Sequence, residues 1–201
     1  MCGIVGFLGA SRPANFVVGK LKKLEYRGYD SSGIANLKNG EVSILKAVGN
    51  ISKLEEKITE NFKVSCAIAH TRWATHGVPS EVNAHPHTST GSEWTIVHNG
   101  IIENYLEIKN GLPTGTQIQS DTDTAVVSEL LESNKVQDVN GFIKACNMLE
   151  GSFAFVAINK NIEKARKEAE RKRKAALKAV KKKSDAELMS EESYGKAATT
   201  A

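Results

Sequence analysis

The apolar and polar positions of the chain follow two rhythms, one typical of strands and one typical of helices. Short apolar or alternating runs predict strands over residues 4–8, 34–37, 42–45, 64–70, 94–98 and 152–158. Apolar residues three or four positions apart predict helices over residues 15–24, 51–62, 121–133 and 139–149. The dipeptide Asn39-Gly40 between the second and third strands predicts a tight hairpin. Strands that cluster apart from helix pairs favour a layered α+β sandwich over a regular βαβ alternation.

Polar residues mark the end of one predicted strand and the start of one predicted helix. The strand over residues 94–98 is expected to end at His98 and to deliver Asn99-Gly100 to a turn. The helix over residues 121–133 is expected to take Ser120 or Asp121 as its N-cap.

Composition divides the chain at about residue 160. Overall, 40% hydrophobic and 25% charged residues are typical of a soluble globular protein. Residues 163–183 carry eleven Lys or Arg against three Asp or Glu, so the rest of the chain is mildly acidic although the formal net charge is +4. We therefore expect a globular domain over residues 1–160, a basic helical segment over 161–183 and a disordered tail over 184–201. The basic segment is interpreted as a solvated helix or, alternatively, as an arm that binds nucleic acid weakly, and no such binding is expected of the domain.

The cysteines and the lengths of the apolar runs indicate the cellular compartment. Three widely spaced cysteines, Cys2, Cys66 and Cys146, argue against a disulfide framework and favour a reducing environment. Cys66 and Cys146 lie in apolar patterns and are expected to be buried, inert thiols. Because no apolar run is long enough to cross a bilayer and no basic leader precedes Cys2, we expect a cytoplasmic protein without membrane contact.

Cys2 follows the initiator methionine, and this position combines two reactive groups. Removal of Met1 leaves a thiol and a free α-amine on one residue. An α-amine has a pKa of about 7.7–8, so part of it is neutral at neutral pH and can accept the thiol proton directly or through water. Such a residue supplies both the nucleophile and the base of an enzyme with an N-terminal nucleophile. The alternative interpretation is a chance cysteine at the start of an edge strand.

Asn99-Gly100 and Asp123 are candidates for polar contacts with a substrate. Asn99 offers a side-chain amide and Gly100 a backbone N–H, two uncharged donors suited to an oxyanion, although Asn-Gly is also a common turn. Asp123 can pair with a ligand ammonium and can also complement the dipole at the start of its helix.

The stretch from Arg72 to Gly77 is a further candidate for substrate binding. Arg72 can hold a carboxylate through two parallel hydrogen bonds. Trp73 offers a flat apolar cover, and Thr75 and His76 offer hydrogen bonds. The alternative is a polar loop that follows a strand.

Six stretches of sequence form an ordered set of motifs. They are Met-Cys-Gly-Ile-Val-Gly at 1–6, Leu-Glu-Tyr-Arg-Gly-Tyr-Asp-Ser at 24–31, Thr-Arg-Trp-Ala-Thr-His-Gly at 71–77, Asn-Ala-His-Pro-His at 83–87, His-Asn-Gly-Ile-Ile-Glu-Asn at 98–104 and Asp-Thr-Asp-Thr at 121–124. This set closely resembles the class II glutamine amidotransferases, in order, as far as about residue 158. The resemblance implies a four-layer αββα sandwich of the N-terminal nucleophile hydrolase type. It also implies that glutamine is hydrolysed to glutamate and ammonia through a cysteine thioester.

The resemblance further implies a role for each matched residue near the nucleophile. Cys2 is implied to be the nucleophile, and Asn99 and Gly100 are implied to form the oxyanion hole. Arg27 is implied to organise the site near Cys2.

The resemblance assigns the remaining matched residues to glutamine itself. Arg72 is implied to bind the α-carboxylate of the substrate, and Asp123 its α-ammonium. Thr75 and His76 are implied to help hold the substrate, and Trp73 to belong to the loop that closes over it.

The histidines allow a different interpretation, a zinc site. They are His70, His76, His85, His87 and His98. No cysteine or carboxylate has ligand spacing with them, so neither a metal nor another cofactor is expected.

Two departures from the family pattern affect these expectations. The family domain continues beyond the strand over 152–158 with further strands, so this sandwich is expected to lack its last strands and to carry a basic C-terminal helix instead. The isomerase domains of related enzymes are also absent. Three interpretations remain: a glutaminase that supplies ammonia to a partner synthase or isomerase, a fragment, or an inactive module that binds through its basic tail. The first is favoured because the nucleophile, the oxyanion donors and both charged substrate contacts are all present.

Overall fold

The computed structural model describes residues 2–74, 77–161 and 171. The chain divides into two compact units, Met1–Asn161 and Ile162–Ala201. In the second unit the structure describes Arg171, an exposed residue in helical conformation. Apart from residues 161 and 171, the predicted basic helix over 161–183 and the predicted tail over 184–201 lie outside the described residues.

The first unit contains seven strands and five α-helices among its described residues. The strands are β1 Gly3–Pro13, β2 Ser31–Lys38, β3 Glu41–Val48, β4 Lys63–Arg72, β5 His87–Thr88, β6 Trp94–Ile102 and β7 Gly151–Asn159. The helices are α1 Ala14–Lys22, α2 Ile51–Glu55, α3 Tyr105–Gly111, α4 Asp123–Ser133 and α5 Val139–Cys146, and a short 3₁₀ helix spans Glu25–Arg27.

The strands form two antiparallel sheets. The first has the order β1-β4-β2-β3 and the second the order β5-β6-β7. The predicted hairpin between β2 and β3 is confirmed, because Asn39 and Gly40 both adopt positive φ (58° and 83°), as a two-residue type I′ turn requires. In the second sheet, the described residues pair β7 with β6 along its full length.

Three apolar clusters separate the layers. The first lies between α1, α2 and the first sheet and includes Val17, Leu21 and Leu54. The second lies between the second sheet and helices α3–α5 and includes Ile96 and Leu131. A third cluster joins the facing sides of the two sheets. Its buried residues are Ala35, Leu37, Ile68, Val97 and Ile158. The resulting order of helices, sheet, sheet and helices confirms the predicted α+β sandwich of αββα type.

The prediction that β6 ends at His98 is wrong. The strand continues to Ile102, because β7 pairs with it through Asn99↔Ala154 and Gly100↔Phe153. Asn99-Gly100 therefore lies inside a strand rather than in a turn. The local sequence signals a turn, but the partner strand, which begins some fifty positions along, overrides that signal.

Several helix ends also differ from the predictions. α2 ends at Glu55, and the chain continues in turns to Phe62, which packs together with Ile58 against the first cluster. The apolar spacing in this region thus marks contact with the core rather than a continuous helix. α4 begins at Asp123 with Thr122 as its N-cap, which lies two residues after Ser120 and one after Asp121, the two caps predicted, and α5 ends at Cys146 instead of residue 149.

Helix α3 was not predicted, because its seven residues bury Ile108 alone and no side chain caps its first turn.

Cys66 and Cys146, which were predicted to be buried, are both partly exposed. Cys66 packs at the edge of the third cluster, and burial raises the pKa of the Cys146 thiol. Among the described residues, none of the helices has the length and apolar character needed to cross a membrane.

The close approach of the loop before β5 to strand β2 yields a stability prediction. A Cβ added at Gly33 would lie 2.2 Å from the backbone oxygen of His85, so Gly33→Ala should lower the free energy of unfolding by about 1–3 kcal/mol. Gly19 in α1 is the matched control, because a Cβ there meets nothing within 4 Å. Gly19→Ala should raise stability by up to about 1 kcal/mol. Urea unfolding measures both, and a Gly33→Ala protein as stable as the parent would contradict this packing.

Candidate functional site

The thiol of Cys2 lies against the peptide of Trp73. The Trp73 N–H donates to Cys2 Sγ (3.4 Å), and the thiol lies 3.8 Å from the Trp73 carbonyl oxygen. This position follows from sheet pairing, because the register Gly3↔Thr71 between β1 and β4 brings the start of the chain to the end of β4. The Gly3 N–H also donates to Thr71 Oγ1 (3.1 Å), which fixes this end of β1.

The backbone of Cys2 is held by two side chains from distant parts of the sequence. Asn99 Nδ2 donates to the Cys2 carbonyl oxygen (3.2 Å), and the Cys2 nitrogen donates to Asn99 Oδ1 (3.4 Å). Arg27 Nε donates to the same carbonyl oxygen (3.0 Å). Asn99, on the second sheet, thus forms a reciprocal pair with the first residue of the first sheet.

Burial raises the pKa of the Cys2 thiol. The Trp73 N–H and the positive charges of Arg72 and Arg27 act in the opposite direction, but burial prevails. The thiol therefore needs a base to become a nucleophile at neutral pH.

Arg72 is the last residue of β4 and is almost fully buried. Its Nη2 donates to the backbone oxygen of Gly77 (3.1 Å). Burial lowers the pKa of the guanidinium, and Cys2, Asp30 and Asp123 lie close enough to oppose this shift. A buried cation at the edge of a site is suited to holding a carboxylate.

Asp30 is a residue to which the sequence analysis gave no role. Its carboxylate accepts from the Ala74 N–H (2.7 Å), and its own N–H donates to the Arg72 carbonyl oxygen (3.0 Å). Asp30 therefore holds the two peptide groups that flank the Cα of Trp73, and both of these groups contact Cys2 Sγ. The sequence shows that Asp30 lies in a stretch with aromatic residues and glycine. It does not show that Asp30 contacts the backbone of Arg72 and Ala74.

Trp73 is 45% exposed and packs edge-on against Tyr29, with 5.7 Å between ring centroids. Thr75 and His76, also predicted to bind substrate, lie outside the described residues. The structure thus brings the Trp73 backbone to the Cys2 thiol and leaves the Trp73 ring at the surface.

Asp123 lies buried at the start of α4, and both carboxylate oxygens are engaged. Oδ2 accepts from the Ile102 N–H (2.8 Å), and Oδ1 accepts from the Thr124 N–H (2.8 Å). The carboxylate thus anchors the far end of β6. Oδ1 also accepts from the Thr124 hydroxyl (3.3 Å), so Oδ2 is the oxygen that keeps a lone pair for an ammonium ligand.

Gly100 adopts a φ of +140°, a region that side chains rarely tolerate. A Cβ there would lie 2.0 Å from the Ser152 backbone oxygen. Glycine at this position therefore lets β7 approach the strand directly beside Asn99.

Four histidines form a buried group behind Asn99: His70, His85, His87 and His98. Burial lowers the pKa of each of them, and that of His70 falls to about 3. Within residues 2–74, 77–161 and 171, no three His, Cys, Asp or Glu side chains are arranged to hold a metal ion. Several of their ring nitrogens contact neighbouring groups, such as His98 Nδ1 with Thr124 Oγ1 (2.9 Å) and His87 Nε2 with Thr122 Oγ1 (3.0 Å).

Comparison with known protein families and sequences connects this geometry with a chemistry. A family model described as a glutamine amidotransferase domain matches residues 70–185. The glutamine–fructose-6-phosphate aminotransferase (isomerizing) of Oceanobacillus iheyensis is 47% identical over 162 residues, which cover 79% of this chain and 27% of the relative. The corresponding enzyme of Aquifex aeolicus is 45% identical over 161 residues, with the same two coverages. The chain thus spans about a quarter of the length of these curated relatives.

Solved structures share the fold. The glutamine phosphoribosylpyrophosphate amidotransferase of B. subtilis, complexed with ADP and GMP, superimposes with a TM-score of 0.64 at 25% identity, over 79% of this chain and 35% of that one. A structure described as the allosteric regulatory enzyme of purine biosynthesis gives a TM-score of 0.69 at 23% identity, over 80% of this chain and 36% of that one. The second likeness supports the fold alone.

The buried histidines predict how stability depends on pH. The pKa of His70 is about 3 in the folded chain, whereas an unfolded histidine has a pKa of about 6.5. The unfolded chain therefore binds more protons over this interval, and the free energy of unfolding should fall as the pH drops from about 6.5 toward 3. Chemical unfolding at a series of pH values measures the slope. His70→Gln should show a shallower slope, and equal slopes for the two proteins would contradict a neutral, buried His70.

Proposed function

The chain belongs to the glutamine amidotransferase domain family, and on this premise we propose that it hydrolyses glutamine to glutamate and ammonia with Cys2 as the nucleophile. The observation that carries the proposal is the reciprocal hydrogen bonding of Cys2 and Asn99, residues 97 positions apart, beside the Trp73 peptide. A nucleophile and a neutral donor within reach of one another are what acyl transfer through a thioester needs.

The first step generates the thiolate. Removal of Met1 converts the Cys2 nitrogen into a free α-amine, which takes the thiol proton directly or through water. The raised pKa of the thiol supports a mechanism in which this base is required. The Asn99 Oδ1 that accepts from the Cys2 nitrogen is suited to hold the amine in place.

The second step is attack on the side-chain carbonyl carbon of glutamine. The thiolate forms a bond to this carbon, and the carbonyl oxygen becomes an oxyanion. Asn99 Nδ2 and the Gly100 N–H donate to it. The oxyanion then collapses, the amine returns its proton to the leaving nitrogen, and ammonia departs from a γ-glutamyl thioester. Water, activated by the same amine, attacks the thioester and releases glutamate and the free thiol.

The remaining residues of the site bind the substrate. Arg72 holds the α-carboxylate of glutamine, and Asp123 accepts from its α-ammonium. Thr75 and His76 help to hold the substrate, and Trp73 belongs to the loop that closes over it. Support for the two charged roles comes from the burial of Arg72 and Asp123 and from the charge of Asp123, which opposes the lowering of the Arg72 pKa.

Arg27 organises the site around the nucleophile. Its Nε donates to the Cys2 carbonyl oxygen, the acceptor that Asn99 Nδ2 also uses. A rigid guanidinium on this oxygen keeps the backbone of Cys2 fixed while the thiol reacts.

Ammonia released at Cys2 passes to an acceptor. The relatives are named as aminotransferases, and this chain spans about a quarter of their length. We propose that a partner synthase or isomerase takes up the ammonia. Ammonia transfer in the presence of such a partner, measured against free ammonia release by the chain alone, tests this step.

The choice of nucleophile can be tested among the three thiols. Cys2→Ala should abolish glutamine hydrolysis and covalent labelling by electrophilic glutamine analogues, because it removes the attacking sulfur. Cys66→Ala and Cys146→Ala are the matched controls and should keep both properties, since neither residue belongs to the proposed site. Intact mass of the labelled protein should also show that Met1 has been lost. Labelling that survives Cys2→Ala, or full activity with Met1 retained, would refute the mechanism.

Substrate binding and chemistry can be separated by a second pair of variants. Arg72→Ala removes a contact made both in the ground state and in the transition state, so KM should rise more than kcat falls. Asn99→Ala removes a donor to the oxyanion, so kcat should fall by about 10²–10³-fold. Steady-state kinetics with glutamine distinguishes the two effects. The reverse pattern would show that the two assignments must be exchanged.

A further inference from the structure

Strand β6 loses its neighbour on one side just before it reaches Asn99. The short strand β5 pairs with β6 through His87↔Ile96 and Thr88↔Thr95. The next positions in this register would set Pro86 opposite Val97 and His85 opposite His98. Proline has no N–H to donate to the hydrogen bonds between two strands, and the pairing of β5 with β6 extends no further than His87 in this direction.

Two imidazoles replace the missing ladder at His98. The His98 N–H donates to His85 Nδ1 (3.2 Å), and His70 Nε2 lies 2.8 Å from the His98 carbonyl oxygen. Both main-chain polar groups of His98 are therefore satisfied by side chains. All three residues are buried, so this main chain would otherwise face a large desolvation cost.

The two imidazoles also support each other. Their rings stack with centroids 4.0 Å apart and an angle of 13° between the planes. His70 belongs to β4 of the first sheet, whereas His98 belongs to β6 of the second, so the stacked pair connects the two sheets. Neutral rings suit this arrangement, since two stacked cations in a buried space would repel.

The residue after His98 is Asn99, whose side-chain amide donates to the Cys2 carbonyl oxygen and accepts from the Cys2 nitrogen. Beyond it, Asp123 holds the Ile102 N–H. The segment that offers Asn99 and Gly100 to the substrate is therefore anchored at both ends, by the histidine pair before it and by a carboxylate after it.

We propose that His70 and His85 are positioning residues that fix the main chain of His98 and thereby the Asn99 amide relative to the Cys2 thiol. This inference rests on the proposed glutaminase function. Neither histidine touches the substrate. Their effect is exerted through the strand, and it should appear in kcat rather than in KM, because the donor that they aim acts on the oxyanion.

The hydrogen-bond geometry defines the tautomers, and the tautomers define a sharp test. A carbonyl oxygen only accepts, so His70 Nε2 donates, while His85 Nδ1 accepts and its proton lies on Nε2. An asparagine side chain places its oxygen where Nδ1 of histidine stands, and a glutamine side chain places its nitrogen where Nε2 stands. His85→Asn and His70→Gln therefore retain the required atom, whereas His85→Gln and His70→Asn misplace it.

The experiment measures kcat, KM and the hydrogen-exchange protection of the His98 amide in these four variants of the full chain. The expected result is a crossed ranking: at position 85 asparagine retains more kcat and more protection than glutamine, and at position 70 glutamine retains more than asparagine. His85→Gln and His70→Asn, the disfavoured variants, should lose up to about 10²-fold in kcat with KM little changed. A loss of this size is expected when the donor is displaced by up to about 1 Å.

A role in packing alone would rank asparagine and glutamine in the same order at both positions, and that result would overturn the proposal. If the disfavoured variants fail to fold, the favoured two decide, because loss of His98 protection in either of them also overturns it. Amide exchange does not depend on activity. A parent protein without glutaminase activity would therefore refute the proposed function, while the ranking of exchange rates would still test the role of the histidines.

Discussion

The contact between Cys2 and the Asn99 amide is the interaction on which the rest of the site depends. Cys2 begins the first sheet and Asn99 lies in the second, so their hydrogen bonds form only when the two sheets face each other at the right distance. The apolar cluster between the sheets sets that distance. Mutations in this cluster would therefore act on the chemistry as well as on stability, although none of its residues reaches the thiol.

The interior next to this contact is polar but uncharged at its centre. Burial keeps the four histidines neutral, and it also raises the pKa of the Cys2 thiol. In the proposed mechanism the α-amine of residue 2 must therefore take up the proton of this buried thiol. The buried guanidinium of Arg72 lies at the border of this region, where a carboxylate ligand would compensate its burial.

Sequence patterns predicted six of the seven described strands and the helices α1 and α4, because strong periodicity reflects burial against a layer. They did not predict the two-residue strand β5. They failed where local signals and tertiary contacts disagree. Asn99-Gly100 carries the signal of a turn, yet pairing with β7 extends the strand through it. The apolar spacing after Glu55 suggested a longer helix, yet Ile58 and Phe62 reach the core from turns. The role of Asp30 was equally hidden, because its partners lie more than forty positions away.

The sequence by itself determined the chemical groups and the family to which the chain belongs: a cysteine at position 2, an Asn-Gly pair, an arginine at position 72 and an acidic residue at position 123. These are covalent facts, and a one-dimensional pattern can carry them. Only the tertiary structure decided which groups meet. The Cys2–Asn99 pair and the stacked His70 and His85 join groups in or next to the two facing sheets, and Asp30 contacts the loop after β4. Local sequence cannot encode such contacts, because they depend on strand register within each sheet and on the packing of one sheet against the other.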